Sequence, residues 1–161
     1  MAKARDIPDL LPADSFRAAA AKVVAVRAQE LFEHSENVLN TQDIERVHDM
    51  RVASRRLRAV LEIFAPCFPR KQHRGVLRDV KAVADALGER RDPDVHIAAL
   101  RRIAEAVPPA ERTGVEQLTA SFAGEQAEGN RTVALALEEI ERDDLRGRLE
   151  RLAAEAGAPE P

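Results

Sequence analysis

The chain of 161 residues has no tryptophan, no tyrosine and only 7 glycines, and Cys67 is its single cysteine. One cysteine excludes an intramolecular disulfide and a cysteine-based metal cluster within one chain. Residues 1–40 contain no apolar run of membrane-spanning or signal-peptide length, so we expect a cytoplasmic protein. With only 5 phenylalanines, the chain also lacks the aromatic platforms on which single-stranded nucleic acids stack.

The composition of the chain favours helices. Hydrophobic residues make up 45% of the chain and charged residues 33%, and the commonest types are good helix formers. The length is enough for one domain with its own core. We therefore expect an all-α bundle of about five to six helices, with an irregular leader over 1–13, a single helical domain over 14–156 and a disordered tail over 157–161.

Cap residues, prolines and apolar spacing predict the helix boundaries. Asp14 or Ser15 can cap the first helix, Gly88 is a natural left-handed end for the third, and Asp92 can cap a fourth that begins at Pro93. The predicted spans are about 15–40, 44–65, 70–87, 93–106, 110–142 and 144–156.

The net charge of −3 conceals an uneven distribution. Segment 46–91 holds 12 lysines and arginines against 5 acidic residues, a local charge of +7, so the rest of the chain carries −10. Concentrated positive charge sets a local potential that attracts anions, whatever the sign of the whole chain.

The positive charge follows helical spacing. One row, on the second helix, consists of His48, Arg51, Arg55 and Arg58. A second row, on the third helix, consists of Arg74, Arg78 and Lys81. At about 100° per residue each row lies beside an apolar arc, so both rows can border one groove if the two helices pack by their apolar faces.

A solvated helix face is the ordinary alternative, and it predicts mixed signs with Arg–Glu pairs three or four residues apart. Here three arginines precede Glu62 in the row, and like charges one turn apart destabilise a helix slightly. A compensating anion would remove that repulsion. The guanidinium fork, which engages phosphate oxygens in two directions, therefore favours an anion-binding row.

His48 has four possible roles, as a core residue, a metal ligand, a phosphoacceptor or a further cation. Glu45 and His48 form one Glu-x-x-His pair, whereas di-iron bundles need two, and nearby arginines would repel a dication. We expect Asp49 to point elsewhere, because adjacent helical residues diverge by about 100°. The chain has no glycine-rich phosphate loop either, so we expect no metal, no cofactor and no catalytic residue.

Two motifs resemble the CHAD family, the conserved histidine α-helical domain. They are Val-His-Asp-Met-Arg-Val-Ala-Ser-Arg-Arg-Leu-Arg, which begins at Val47, and Ala-Leu-Gly-Glu-Arg-Arg-Asp-Pro-Asp-Val at 86–95. The resemblance implies a helical fold around a basic pore, binding of long-chain inorganic polyphosphate and, in bacteria, association with polyphosphate granules. Carried over residue by residue, it points to His48, Arg51, Arg55, Arg56, Arg58 and Arg91. By spacing alone, Arg56 lies off the main row.

The resemblance covers about residues 16–156 as the first of the family's two usual halves, because no second His-x-x-Arg helix follows. We therefore expect a homodimer that places two copies of the basic groove around one polyphosphate strand. Two rival functions stay open from the sequence: binding of an RNA or DNA backbone by the same arginines, and a phosphate-handling enzyme that uses His48.

Overall fold

The computed structural model describes residues 3–158 and contains, within them, five α-helices and no strand, which confirms the all-α prediction. The helices are α1 (Phe16–Glu33), α2 (Ile44–Ile63), α3 (Arg70–Ala106), α4 (Arg112–Arg142) and α5 (Leu145–Gly157). Residues 1–2 of the predicted leader and 159–161 of the predicted tail lie outside the described residues. No described helix is long and apolar enough to cross a membrane.

The core forms where α1 packs against α2 and α5, while α3 packs against both α2 and α4. Its largest fully buried apolar side chains include Val24, Leu31, Val47, Met50, Leu57, Leu61, Leu87, Leu145, Leu149 and Leu152. Burying a side chain of this size contributes about 1.5–3 kcal/mol, so α1, α2, α3 and α5 are held mainly by these apolar contacts.

Helix α1 begins as predicted and ends earlier. The Ser15 hydroxyl accepts a hydrogen bond from the Ala18 amide at 3.1 Å, which makes Ser15 the N-cap. The predicted end near residue 40 is wrong, because α1 stops at Glu33 and the chain turns. Asn37 adopts a left-handed φ of 54°, which asparagine tolerates, and the turn brings Val38 into the core at 1% exposure.

Helix α3 is continuous where two helices are predicted. Gly88 is not a left-handed end, since no glycine in the described chain has a positive φ. Asp92 is an exposed residue inside the helix, and Pro93 is buried within it. A proline in a helix interior removes one hydrogen bond and costs about 3 kcal/mol, so contacts from elsewhere in the fold must offset it.

Those contacts come from a buried ion pair within α3 and from α4. Arg90 and Asp94 form an ion pair whose side chains are both 0% exposed and which brackets the proline. Asp94 also accepts from Gln126 at 2.7 Å, and Arg90 donates to Asn130 at 3.1 Å. The two helices approach closely at Gly129, where a Cβ atom would lie 3.0 Å from the Arg90 Cα. This packing between α3 and α4 overrides the local signals for a break.

The buried pair gives a stability prediction. Asp94→Ala leaves the Arg90 guanidinium buried without a counter-charge and should lower the free energy of unfolding by about 3–5 kcal/mol, measured by urea denaturation and circular dichroism. Glu128→Ala, which breaks the exposed pair with Arg131 on α4, is the control and should cost less than about 1 kcal/mol. Equal losses in the two variants would contradict the account.

Candidate functional site

An open groove of about 420 Å³ lies between α2 and α3. Its lining residues are Arg51, Arg55, Arg58, Ala84, Asp85, Gly88 and Glu89. Two ion pairs flank the groove, Glu45 with Arg91 and Glu62 with Lys81. Because residue numbers rise along α2 while they fall along α3 between these pairs, the two helices run antiparallel. A groove between these two helices was the expectation from the two amphipathic faces, and the α3 wall of the observed groove differs from that expectation.

Helix geometry explains which side chains reach the groove. Arg51, Arg55 and Arg58 are about one turn apart on α2, while Leu57 and Leu61 on another face are fully buried in the core. On the α3 wall the small residues Ala84 and Gly88 leave room for the arginines. A Cβ at Gly88 would lie 3.9 Å from the Arg51 Nε, so a larger side chain there would fill the space beside this guanidinium.

The arginines of the groove differ in their partners. Within residues 3–158, the side chains of Arg51 and Arg55 form no ion pair and no hydrogen bond. By contrast, the Arg58 Nε lies 3.1 Å from the Glu62 carboxylate, and the Lys81 Nζ lies 3.1 Å from the same oxygen. Hydrogen bonds to the Glu62 carboxylate lower its pKa, and the one from Lys81 has a larger effect than the one from Arg58. Arg51 and Arg55 thus have no paired carboxylate, whereas the Arg58 end of the groove is ion-paired with Glu62.

Sequence reasoning missed the acidic side of the groove. Asp85 and Glu89 line the α3 wall opposite the arginines. They follow Lys81 by four and eight residues, which places all three on one helix face, so a helical wheel that included acidic residues would have found them. The groove consequently combines three arginines with two carboxylates, and it is less positive than the two rows of cations predict.

Two cations of the α3 row lie away from the groove. Arg74 lines a separate depression near the α2–α3 connection, together with His73 and Phe68. Arg78 is 75% exposed, and its Nε lies 2.9 Å from the Asp79 carboxylate. Of the α3 row, only Lys81 reaches the edge of the groove, through Glu62.

Arg91 joins α3 to the start of α2. Its Nη1 donates to the Ile44 carbonyl at 2.9 Å, its Nη2 lies 3.6 Å from the Glu45 carboxylate, and its side chain is only 16% exposed. Arg56 lies on the α1 side of α2, where its charge acts on Glu30. Burial raises the pKa of Glu30, but hydrogen bonds and positive charges, including that of Arg56, lower it overall. Neither arginine lines the groove.

His48 lies one turn before Arg51, in a cluster with Glu45 and Asp49. One ligand atom from each of the three side chains lies within 4.8 Å of the others. The expectation that Asp49 points elsewhere is therefore wrong. Glu45 precedes His48 by three residues and Asp49 by four, so both approach it from the same face of α2.

A larger cavity, of about 460 Å³, lies elsewhere, between α1, α4 and the start of α5. Phe32, Leu137 and Ile140 form much of its lining, and the Arg146 guanidinium stacks over the Phe32 ring at 4.3 Å. This cavity contains none of the residues singled out from the sequence, and its single arginine already has an aromatic partner. The α2–α3 groove is the better candidate for a charged ligand.

Comparison with models of protein families gives a match, whereas comparison with individual proteins does not. No curated protein and no solved structure matches the chain. A family model described as CHAD domain matches residues 22–161, which include the whole of α2 to α5 and both motifs that carry the resemblance. The match covers most of the 161 residues. The chain therefore belongs to the CHAD domain family.

Proposed function

We propose that the chain binds inorganic polyphosphate along the α2–α3 groove. The observation that carries this proposal is that Arg51 and Arg55 have no counter-charge in the described chain, although Asp85 and Glu89 line the same groove. A bound phosphate chain would supply the missing charges. Guanidinium groups suit it, because each presents several N–H donors in a fork and stays protonated at cellular pH.

The spacing of the arginines favours a polymer over a single phosphate. Successive groove arginines on α2 are about one helical turn apart, roughly 5 Å along the axis. A linear chain with a charge on every unit can contact all three, whereas orthophosphate can contact one or two. CHAD domains are associated with polyphosphate-related proteins, which agrees with this ligand class.

Several finer expectations belong to the same proposal. Because each arginine contact displaces a condensed counterion, affinity should fall as salt rises. Association with polyphosphate granules would follow from binding of long chains. The homodimer and the absence of catalysis stay predictions, and phosphate release from polyphosphate with added Zn²⁺ is the assay for catalysis.

Of the nine residues predicted for the site, we keep His48, Arg51, Arg55, Arg58 and Lys81 as candidate contacts.

Reversing the charge of the two unpaired arginines tests the site. Arg51→Glu with Arg55→Glu should abolish polyphosphate binding, because each lost charge-assisted contact costs about 1.5–3 kcal/mol. Both side chains lie outside the core, so helicity and melting temperature should change little. Isothermal titration calorimetry measures the affinity, and circular dichroism checks the fold.

The matched control reverses two exposed arginines elsewhere on the molecule. Arg101 and Arg102 lie on α3 about 20 Å beyond Gly88, at a rise of roughly 1.5 Å per residue. Arg101→Glu with Arg102→Glu changes the net charge equally and should bind polyphosphate nearly as the unaltered chain does. A similar loss in both double variants would mean that net charge, and not the groove, governs binding.

Single-stranded RNA at equal phosphate concentration serves as competitor, and tighter binding of RNA would favour the nucleic-acid alternative.

The acidic wall gives a second prediction, of opposite sign. Asp85→Asn with Glu89→Gln removes two carboxylates that line the groove and repel phosphate. At about 0.5 kcal/mol for each exposed charge, the affinity for polyphosphate should rise roughly fivefold. The same calorimetric titration measures the change. Weaker binding in this variant would show that the carboxylates help to hold the ligand and would count against the proposed contacts.

A further inference from the structure

We infer that the cavity between α1, α4 and the start of α5 binds a small apolar amino acid, a zwitterion such as L-leucine. The cavity measures about 460 Å³, which lies within the range of roughly 300–1,000 Å³ that small-molecule sites occupy. None of the residues kept for the polyphosphate groove lines it, so the inference does not depend on the proposed function.

The bottom of the cavity is apolar. Ile140 is only 7% exposed, and Phe32 and Leu137 beside it are half-buried. The charged residues of the lining, by contrast, are exposed and therefore lie at its mouth. An apolar side chain that enters this space leaves water, which is the main favourable contribution to binding in such a site.

Arg146 supplies a positive charge at the mouth. Its guanidinium carbon lies 4.3 Å from the centroid of the Phe32 ring, and within residues 3–158 its side chain has no carboxylate partner. Stacking uses the face of the guanidinium plane and leaves the N–H donors along its edge available. Arg146 can therefore donate a pair of hydrogen bonds to a carboxylate held in a fixed orientation.

Of the two carboxylates at the mouth, Asp144 is already engaged. It lies 3.1 Å from the Arg151 Nη2 and accepts a hydrogen bond from the Gly147 amide at 3.1 Å. These two hydrogen bonds, the one from Arg151 first, hold the pKa of Asp144 below its ordinary value. Glu141 has no ion pair within the described residues, so its carboxylate is the one that can accept from an ammonium group.

The two uncompensated charges together select the class of ligand. A fatty acid would place its carboxylate beside Glu141, and an apolar amine would place its ammonium beside Arg146, so each leaves one like-charge contact. An α-amino acid carries both groups on one carbon and its side chain on the same carbon. It can pair with Arg146 and Glu141 at the mouth while its side chain extends towards Ile140.

A ligand series tests each part of this recognition. L-Leucine should bind more tightly than isocaproate, which lacks the ammonium, than isoamylamine, which lacks the carboxylate, and than glycine, which lacks the side chain. Each deletion should weaken binding by about tenfold, since a charged hydrogen bond contributes about 1.5–3 kcal/mol. Titrations of the full chain, followed by NMR, measure the four affinities.

Substitutions assign the two charges. Arg146→Gln should weaken binding of L-leucine and leave that of isoamylamine unchanged, and Glu141→Gln should weaken L-leucine and leave isocaproate unchanged. Arg142→Gln with Glu150→Gln, which alters one exposed residue on each of α4 and α5 outside the lining, is the control and should bind L-leucine normally. Circular dichroism checks that every variant folds.

Methyl NMR locates the ligand. L-Leucine should shift the Ile140 methyl signals and leave those of Ile63, which lies at the end of α2, in place. Absence of binding at millimolar L-leucine, equal binding of L-leucine and isocaproate, or shifts elsewhere than at Ile140 would overturn the site. The Arg146→Gln and Glu141→Gln variants should still bind polyphosphate, so failure of this site and failure of the proposed function give different results.

Discussion

The buried Arg90–Asp94 ion pair is the interaction on which the rest of the site depends. It lies where Pro93 would otherwise interrupt the helix, and together with α4 it keeps α3 continuous from Arg70 to Ala106. A continuous α3 carries Arg91 to the first turn of α2 and Lys81 to the last turn. These two contacts link α2 and α3 at both ends of the groove, beside the apolar core that the two helices share.

Between these two links the groove has an unusual balance of charge. Arg51 and Arg55 have no partner in the described chain, while Asp85 and Glu89 line the opposite wall. Each carboxylate lies in the groove that a phosphate would enter and repels it, so a single small anion gains little there. A polyanion contacts several arginines at once, and its later contacts are intramolecular, which increases the total affinity without any stronger single contact. On the proposed function, the mixed charge of the groove would favour long phosphate chains over short ones.

Local patterns in the sequence predict much of this architecture. They fail where contacts between residues far apart in the chain determine the structure. The amphipathic spacing of α2 places Arg51, Arg55 and Arg58 on one face, because that face depends only on helical geometry. The break predicted at Gly88 and Asp92 is wrong, since packing against α4 outweighs the local cost of Pro93.

The early end of α1 has a similar origin, because a turn is needed to bury Val38. The acidic wall and the Asp49 contact were within reach of the helical wheel. Asp85 and Glu89 share the face of Lys81, and Glu45 is a helical neighbour of both His48 and Asp49.

The most direct measurement of the central claim is NMR of the arginine side-chain N–H groups during titration with long-chain polyphosphate. If the unpaired arginines take the phosphates, the Nε–H signals of Arg51 and Arg55 should shift together with that of Arg58 and saturate at the same ligand concentration. Those of Arg101 and Arg102 should stay in place. Shifts spread evenly over all exposed arginines, or absent from Arg51 and Arg55, would contradict the account.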